Sequence, residues 1–119
     1  MSRLYFAVAG LVLLVSPALA HSSLERSEPK DGETLKAAPG EIRIWFTEPI
    51  KVTLSTIEVR NANGRPVDRR DLRADEKQLT LVRLSLPSGL SAGIYKVTWS
   101  AVAQDLHVTK GNFSFRVAP

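Results

Sequence analysis

The chain has 119 residues, no cysteine, two histidines and a formal net charge of +4. The absence of cysteine excludes a disulfide-stapled scaffold and any thiolate metal site. The mild positive charge favours solubility and weak electrostatic steering, and it is too small to indicate a nucleic-acid-binding protein.

The first twenty residues have the pattern of a secretory signal peptide. Arg3 supplies a positive start, an apolar run follows, and Ala18 and Ala20 form the small-residue pattern that signal peptidase accepts. The apolar run is shorter than the roughly 20 residues of a membrane span, so cleavage is favoured over a retained anchor. The sequence therefore predicts a signal peptide over residues 1–20 and one exported domain over residues 21–119 that does not span the membrane.

The exported part reads as short β-strands separated by turns, without a sustained helical period. Alternating or β-branched segments recur between turn signals such as Asn63-Gly64. This pattern is typical of a small all-β sandwich or barrel built from antiparallel strands. The predicted strands span Leu24–Ser27, Glu41–Thr47, Thr53–Arg60, Gln78–Leu86, Gly93–Ala103 and Asn112–Val117.

Alternation also predicts which side chains face the core. Trp45 and Trp99 are expected to anchor the core. The inward faces are expected to be formed by Ile42, Ile44, Phe46, Tyr95, Val97, Trp99, Phe113, Phe115 and Val117.

Three other features have simple structural interpretations. Tyr95 is a candidate tyrosine corner, in which the hydroxyl bonds to upstream backbone, and an ordinary core tyrosine is the alternative. The charged segment Arg65–Lys77 is interpreted as a solvated loop and edge strand. Lys110 and Gly111 are interpreted as a turn before the last strand.

Asp105 and His107 are the first residues that suggest chemistry. They are two positions apart, so on extended chain both side chains leave the same face. A carboxylate oxygen and an imidazole nitrogen suit a divalent first-row metal. Alone the pair is weak evidence, because an Asp-capped turn beside a surface histidine has the same pattern.

His21 strengthens the metal hypothesis because it follows the predicted cleavage site. As the first residue of the mature chain it would offer both an amine and an imidazole. Together with His107 and Asp105 it gives three nitrogens and one oxygen, a set that suits tetragonal Cu(II). Zn(II) is the alternative metal. Cu(I) is disfavoured because the mature chain has no sulfur ligand.

The spaced motifs of the whole mature chain resemble the CopC family of periplasmic copper-resistance proteins. They are ALA followed by His21, then SEPKDGE, IRIWFTEPI, SAGIYKVTWSAVAQDLH and GNFSFRV. The resemblance implies a Greek-key β-sandwich, immunoglobulin-like or cupredoxin-like, of about seven strands. It also implies one Cu(II) per chain, held by a histidine brace at His21 together with Asp105 and His107.

The resemblance further implies a periplasmic copper carrier or buffer that acts in copper resistance or homeostasis. The expected partner is a CopD-like inner-membrane copper transporter, and the chain is expected to be a monomer and not an enzyme. Glu48, in the FTEP motif, is either a hydrogen-bond partner of a copper ligand or a solvated residue at a strand end. Leu106 departs from the family, which often has Gly or Thr between the Asp and the His, and the methionine-rich Cu(I) site of some members is missing.

Two other functions remain as alternatives. Histidine braces also occur in copper-dependent polysaccharide monooxygenases, but a carboxylate completing the copper plane would occupy the open position that catalysis requires. An immunoglobulin-like interaction module without a metal would leave His21 and His107 unrelated.

Overall fold

The computed structural model describes residues 23–119, so the predicted signal peptide and His21 lie outside the described residues. The described chain forms eight β-strands and one short 3₁₀ helix at Val52–Leu54. The strands are β1 (Leu24–Glu28), β2 (Thr34–Leu35), β3 (Glu41–Phe46), β4 (Thr56–Arg60), β5 (Arg73–Ala74), β6 (Leu81–Ser85), β7 (Gly93–Val102) and β8 (Val108–Val117). No helix within residues 23–119 has the length and hydropathy of a transmembrane span.

The strands pair into two four-stranded sheets. Sheet I has the order β1-β3-β6-β5, and sheet II has the order β2-β8-β7-β4. All pairs are antiparallel except β2 with β8. The chain crosses between the sheets after β1, β2, β3, β4 and β6, which gives the β-sandwich that the sequence predicts. The all-β fold class is therefore confirmed. The structure has eight strands where about seven were expected, and two of the eight, β2 and β5, are only two residues long.

The core lies between the inward faces of the two sheets, as the alternating pattern predicts. Burying these aliphatic and aromatic side chains supplies most of the driving force for folding, at about 25 cal/mol per Å² of apolar surface. The largest side chains that are almost completely buried are Phe46, Phe115, Ile42, Ile44, Leu84, Val59, Val82 and Val97.

Tyr95 forms the predicted tyrosine corner. Its hydroxyl donates a hydrogen bond to the Ser91 carbonyl oxygen at 2.6 Å, while its ring stacks on Phe115 at a centroid distance of 5.4 Å. The side chain is 3% exposed. The corner therefore ties the loop before β7 to the core.

The predicted turn at Lys110 and Gly111 is wrong. Both residues lie inside β8, which begins at Val108 and not at Asn112. Gly111 is paired with Trp99, and a Cβ atom at Gly111 would lie 2.7 Å from Cζ2 of the indole. Gly111 is therefore a strand glycine that lets a neighbouring ring approach the backbone, and not a turn residue.

The segment before β4 also differs from the prediction. Extended chain starts at Thr56 and not at Thr53, because residues 52–54 form the 3₁₀ helix. Ser55 holds this helix against β7: its hydroxyl donates to the Lys51 carbonyl oxygen at 2.8 Å and accepts from the Val102 amide at 2.9 Å. The buried serine thus fixes the end of β7.

The outer face of sheet I carries a network of ion pairs. Glu41 accepts hydrogen bonds from Arg43 and Arg83, and Arg83 also bonds Asp75 at 2.8 Å. Around this centre the network extends through pairs on neighbouring strands and at the edge strand. Its members are Arg26, Arg43, Arg73, Arg83, Glu28, Glu41, Asp71 and Asp75.

The network lowers the pKa values of its central carboxyls. Burial alone would raise the pKa of Glu41, but the bond from Arg43 and the charge of Arg83 together lower it below its ordinary value. Bonds from Ser85 lower the pKa of Asp71, and the Arg83 bond lowers the pKa of Asp75. The segment predicted as a solvated loop and edge strand does contain the edge strand β5, and its acids also serve the network.

Candidate metal centre

Asp105 and His107 lie in the tight loop that joins β7 to β8. The loop starts and ends at the pair formed by Val102 and Val108. Inside it, Ala103 donates its amide to the His107 carbonyl oxygen, and Leu106 donates its amide to the Ala103 carbonyl oxygen, both at 2.9 Å. These bonds make the loop compact, so the positions of its side chains are set by the two longest strands of sheet II.

The Asp105 carboxylate binds both the backbone and the ring of His107. Its Oδ1 accepts the His107 amide at 3.1 Å, and its Oδ2 lies 3.0 Å from the imidazole Nδ1. The side chains remain accessible, with 36% exposure for Asp105 and 63% for His107. The structure thus brings the two predicted residues together in an Asp-capped turn, and their role as metal ligands stays a prediction.

Leu106 occupies the turn position between the two candidate ligands. Its φ angle is 71°, in the left-handed region that disfavours residues with a Cβ atom, and its side chain is 62% exposed. Glycine would adopt this conformation without strain because it has no Cβ atom. The leucine therefore changes the strain and the surface of the loop without supplying a donor atom.

The segment after β3 lies against this loop. Ile50 forms a β-bridge with Ala103, and Lys51 donates its amide to the Val102 carbonyl oxygen at 2.7 Å. Just before it, Thr47 exchanges hydrogen bonds with Ser23, accepting from the Ser23 amide at 3.0 Å and donating its own amide at 2.9 Å. The end of β3 therefore connects the first described residue to the loop.

Glu48 lies on this connecting segment and is exposed to solvent. It directly follows Thr47, which binds Ser23, and it precedes Ile50, which bridges to the loop. Glu48 therefore lies between the residue that binds Ser23 and the residue that bridges to the loop, and its role stays a prediction.

Within residues 23–119, no three His, Asp or Glu side chains cluster closely enough to hold a metal ion. The described part of the candidate centre consists of Asp105 and His107, while the third predicted ligand, His21, is not described. Two donor atoms bind a transition metal weakly, so a tight metal centre needs at least one further ligand. The ligand set of His21, Asp105 and His107 stays a prediction.

Two residues that support the loop and its surroundings were not predicted from the sequence. Ser55 looks like an ordinary strand residue, yet its hydroxyl fixes Val102 at the start of the loop. Thr47 looks like the end of a strand, yet its hydroxyl holds Ser23. A buried serine in a β-rich segment is a weak signal that only the tertiary contacts explain.

Comparison with known proteins agrees with this fold. The family model described as the CopC domain matches residues 24–118. Copper resistance protein C of Escherichia coli is 31% identical over 119 residues, covering 91% of this chain and 90% of that protein. The copper transport protein CutJ of Bacillus subtilis is 31% identical over 109 residues, covering 90% of this chain. The chain spans only 20% of the length of CutJ.

A solved structure extends the agreement to three dimensions. The Escherichia coli protein PcoC, described as a methionine-rich copper resistance protein, superimposes with a TM-score of 0.71 at 28% sequence identity. The match covers 82% of this chain and 99% of PcoC. Residues 23–119 contain no methionine, so this chain shares the sandwich of PcoC without that feature. The family model, the sequence relatives and the shared sandwich together establish that the chain belongs to the CopC family.

Proposed function

We propose that this protein is a periplasmic copper-binding protein that carries or buffers Cu(II) in copper resistance or homeostasis. One ion binds per chain, held by the amine and imidazole of a mature N-terminal His21 together with Asp105 and His107. Family membership supports the copper function, since relatives are named copper resistance and copper transport proteins. The observation that carries the proposal is the geometry of Asp105 and His107.

The separation of the two described donors fits adjacent ligands of one metal ion. Metal–ligand bonds of about 2.0 Å meeting at a right angle place the two donor atoms about 2.9 Å apart. Nδ1 of His107 and Oδ2 of Asp105 are 3.0 Å apart. Binding would replace the Asp105–His107 hydrogen bond with two bonds to the metal ion, and the imidazole would have to turn so that the lone pair of Nδ1 faces the ion.

The remaining donors are proposed to come from His21. Ser23 is anchored to Thr47, next to the segment that bridges to the loop. Two residues of extended chain reach about 7 Å at most, so His21 cannot lie far from this anchor. Its amine and imidazole would complete a set of three nitrogens and one oxygen, which favours Cu(II) in the Irving–Williams order. Glu48 is proposed to accept a hydrogen bond from the N-terminal amine.

The proposal is tested by competition titration of the protein starting at His21 against a Cu(II) chelator. We expect one tight Cu(II) per chain and an EPR spectrum of a tetragonal nitrogen–oxygen site. His107→Ala should lower the affinity more than about a hundredfold, because loss of even an outer-shell partner costs about 10–100-fold. The control is Leu106→Ala, which changes the same loop without removing a donor. Equal loss in both variants would contradict the proposal.

We also propose that the protein is not an oxidative enzyme, because Asp105 occupies a metal position that oxygen would need. The wild-type protein with copper, ascorbate and oxygen should yield little peroxide. Asp105→Ala should weaken copper binding and raise this background reaction. Robust oxygen-dependent turnover of a polysaccharide by the wild type would favour the monooxygenase alternative.

The proposed physiological partner is a CopD-like copper transporter in the inner membrane. The likeness to part of CutJ supports this pairing, since that protein is named for copper transport and is about five times longer than the match. The chain is proposed to act as a monomer.

A further inference from the structure

The outer face of sheet II carries basic side chains, with short polar side chains at its centre and the exposed Ile94 and Val108 at its two ends. The strands β4, β7 and β8 alternate buried and accessible residues, so their outward positions form one continuous layer. The outward basic residues, here called the cationic face, are Arg60, Lys96, Lys110 and Arg116. Between them lie short polar side chains, mainly Thr98 and Asn112.

The cationic face has almost no acid of its own. Glu58 is the one acidic residue on the described strands of sheet II, and it pairs with Arg60. Within residues 23–119, Lys96, Lys110 and Arg116 form no ion pair. Asp31 binds the Ser114 amide at the β2 edge and marks the limit of the surface there.

This arrangement is unfavourable for the isolated fold. Arg60 and Lys96 are directly opposite on neighbouring strands, where like charges repel. Sheet I also pairs like charges, Arg43 with Arg83, but there Glu41 bonds both of them. The carboxylate of Glu41 therefore serves both members of the basic pair on sheet I, whereas on sheet II Glu58 pairs with Arg60 and leaves Lys96 without an ion pair in the described chain.

The side chains that lie between the basic residues indicate what the cationic face would bind. Thr98 and Asn112 offer hydrogen bonds at the centre of the face. The exposed aliphatic side chains, Ile94 and Val108, lie at opposite ends of the β7–β8 pair and do not form one apolar patch to insert into lipid. Cations around hydrogen-bonding side chains complement a protein surface that presents carboxylates. Charge complementarity thus favours an acidic protein over a membrane.

We propose that the cationic face docks an acidic surface of a partner protein. The face ends at the pair formed by Val102 and Val108, immediately before the loop of Asp105 and His107. A partner bound there lies beside the candidate metal centre. The inference rests on the charges of sheet II and stands independently of copper binding.

The test uses a glutamate-rich peptide of about twelve residues as the probe, at an ionic strength low enough to keep the Debye length near 30 Å. Titration of the whole mature protein is followed by amide chemical shifts. We expect the shifts to concentrate on β4, β7 and β8 and to disappear as salt is added. Shifts that concentrate on sheet I, or that persist at high salt, would overturn the proposal.

Charge-reversed variants separate this surface from general basicity. Lys96→Glu with Lys110→Glu should weaken peptide binding at least about tenfold, because like charges then face each other across the interface. The control, Arg69→Glu with Lys77→Glu, makes the same change in net charge outside sheet II and should leave binding within about twofold. Both variants are checked for native amide spectra. Equal loss in the two would overturn the proposal.

Vesicles containing phosphatidylglycerol form the second arm of the test. We expect little retention of the protein on them under conditions where the peptide binds. Retention that depends on Lys96 and Lys110, without any peptide-induced shifts, would assign the face to lipid and overturn the acidic-protein proposal.

Discussion

Sheet I and sheet II both place basic side chains opposite one another on neighbouring strands, but only sheet I surrounds them with carboxylates. On sheet I, Glu41 lies between Arg43 and Arg83 and bonds both. On sheet II, Lys96 faces Arg60 with Glu58 as the nearest acid, and Lys110 has no ion-pair partner in the described chain. The ion pairs on the outer face of sheet I therefore stabilise the fold, whereas the basic side chains on the outer face of sheet II are proposed to bind a partner.

The inner side of sheet II is stabilised by aromatic packing. Trp99 packs edge-on against Phe46 at a centroid distance of 5.5 Å, and its ring lies over Gly111 on the neighbouring strand. The strands that carry the candidate metal loop are thus fixed from within the core.

The largest effect on stability is expected from Gly111→Ala. The added methyl group would lie 2.7 Å from the Trp99 ring, so either the ring or the strand must move. We expect the free energy of unfolding to fall by about 1–3 kcal/mol, the usual cost of overpacking, measured by urea denaturation. Gly40→Ala is the control because nothing lies within 4 Å of its added methyl group. Similar losses in both variants would show that sheet II does not depend on this contact.

A smaller loss is expected when the sheet I network is broken by Glu41→Gln. The amide cannot bind the two arginines as a carboxylate does, and we expect about 1–2 kcal/mol of destabilisation at pH 7. The exposed Glu76→Gln is the matched control, with an expected change below about 0.5 kcal/mol. Copper affinity should remain unchanged in both variants. A loss of copper affinity in Glu41→Gln alone would contradict the separation of the two faces.

The same network predicts how stability depends on pH. The pKa values of Glu41, Asp71 and Asp75 are lowered in the folded protein from ordinary values of 4.5 for Glu and 3.8 for Asp. Their contribution is therefore complete above about pH 5 and is lost as the pH falls through the lowered values. The unfolding free energy of the wild type should drop below pH 4, and that of Glu41→Gln should drop less steeply. Parallel pH profiles of the wild type and Glu41→Gln would contradict the role of Glu41 in this pH dependence.

The smallest expected effect, with the opposite sign, concerns Lys96→Glu. Replacing one member of the repelling pair with an acid should raise the free energy of unfolding by about 0.2–1 kcal/mol, because opposite charges then face each other across the strands. The reversal Lys77→Glu has no cross-strand partner and serves as the control. A destabilised Lys96→Glu protein would show that the cationic face is already compensated.

The sequence predicted what depends on local periodicity and missed what depends on register. Alternation correctly identified Ile42, Ile44 and Phe46 as inward, because their burial follows directly from strand geometry. Gly111 was misread because its role depends on Trp99, which lies twelve residues away and is brought alongside by strand pairing. The partners of Glu41 come from two different strands, so the ion-pair network has no signature in the chain itself.

The candidate site was predictable to a similar degree. Asp105 and His107 do lie together, but in an Asp-capped turn and not on the extended segment assumed from their spacing. The strain at Leu106 and the bonds from Ser55 depend on the exact turn and on a helix from another part of the chain. The contribution of His21 lies outside the described residues and rests on the predicted cleavage site.

The most direct test of the copper site compares two forms of the mature protein, one starting at His21 and one with Met added before it. The free amine has a reference pKa of about 8 and the imidazole one of about 6.5, so both must lose protons to bind copper and affinity should fall as the pH drops. The added Met converts the His21 amine into an amide while leaving both imidazoles and the Asp105–His107 pair intact. In competition titration against a Cu(II) chelator, we expect the form starting at His21 to bind orders of magnitude more tightly, with identical folds. Equal affinity of the two forms would contradict the proposed role of His21.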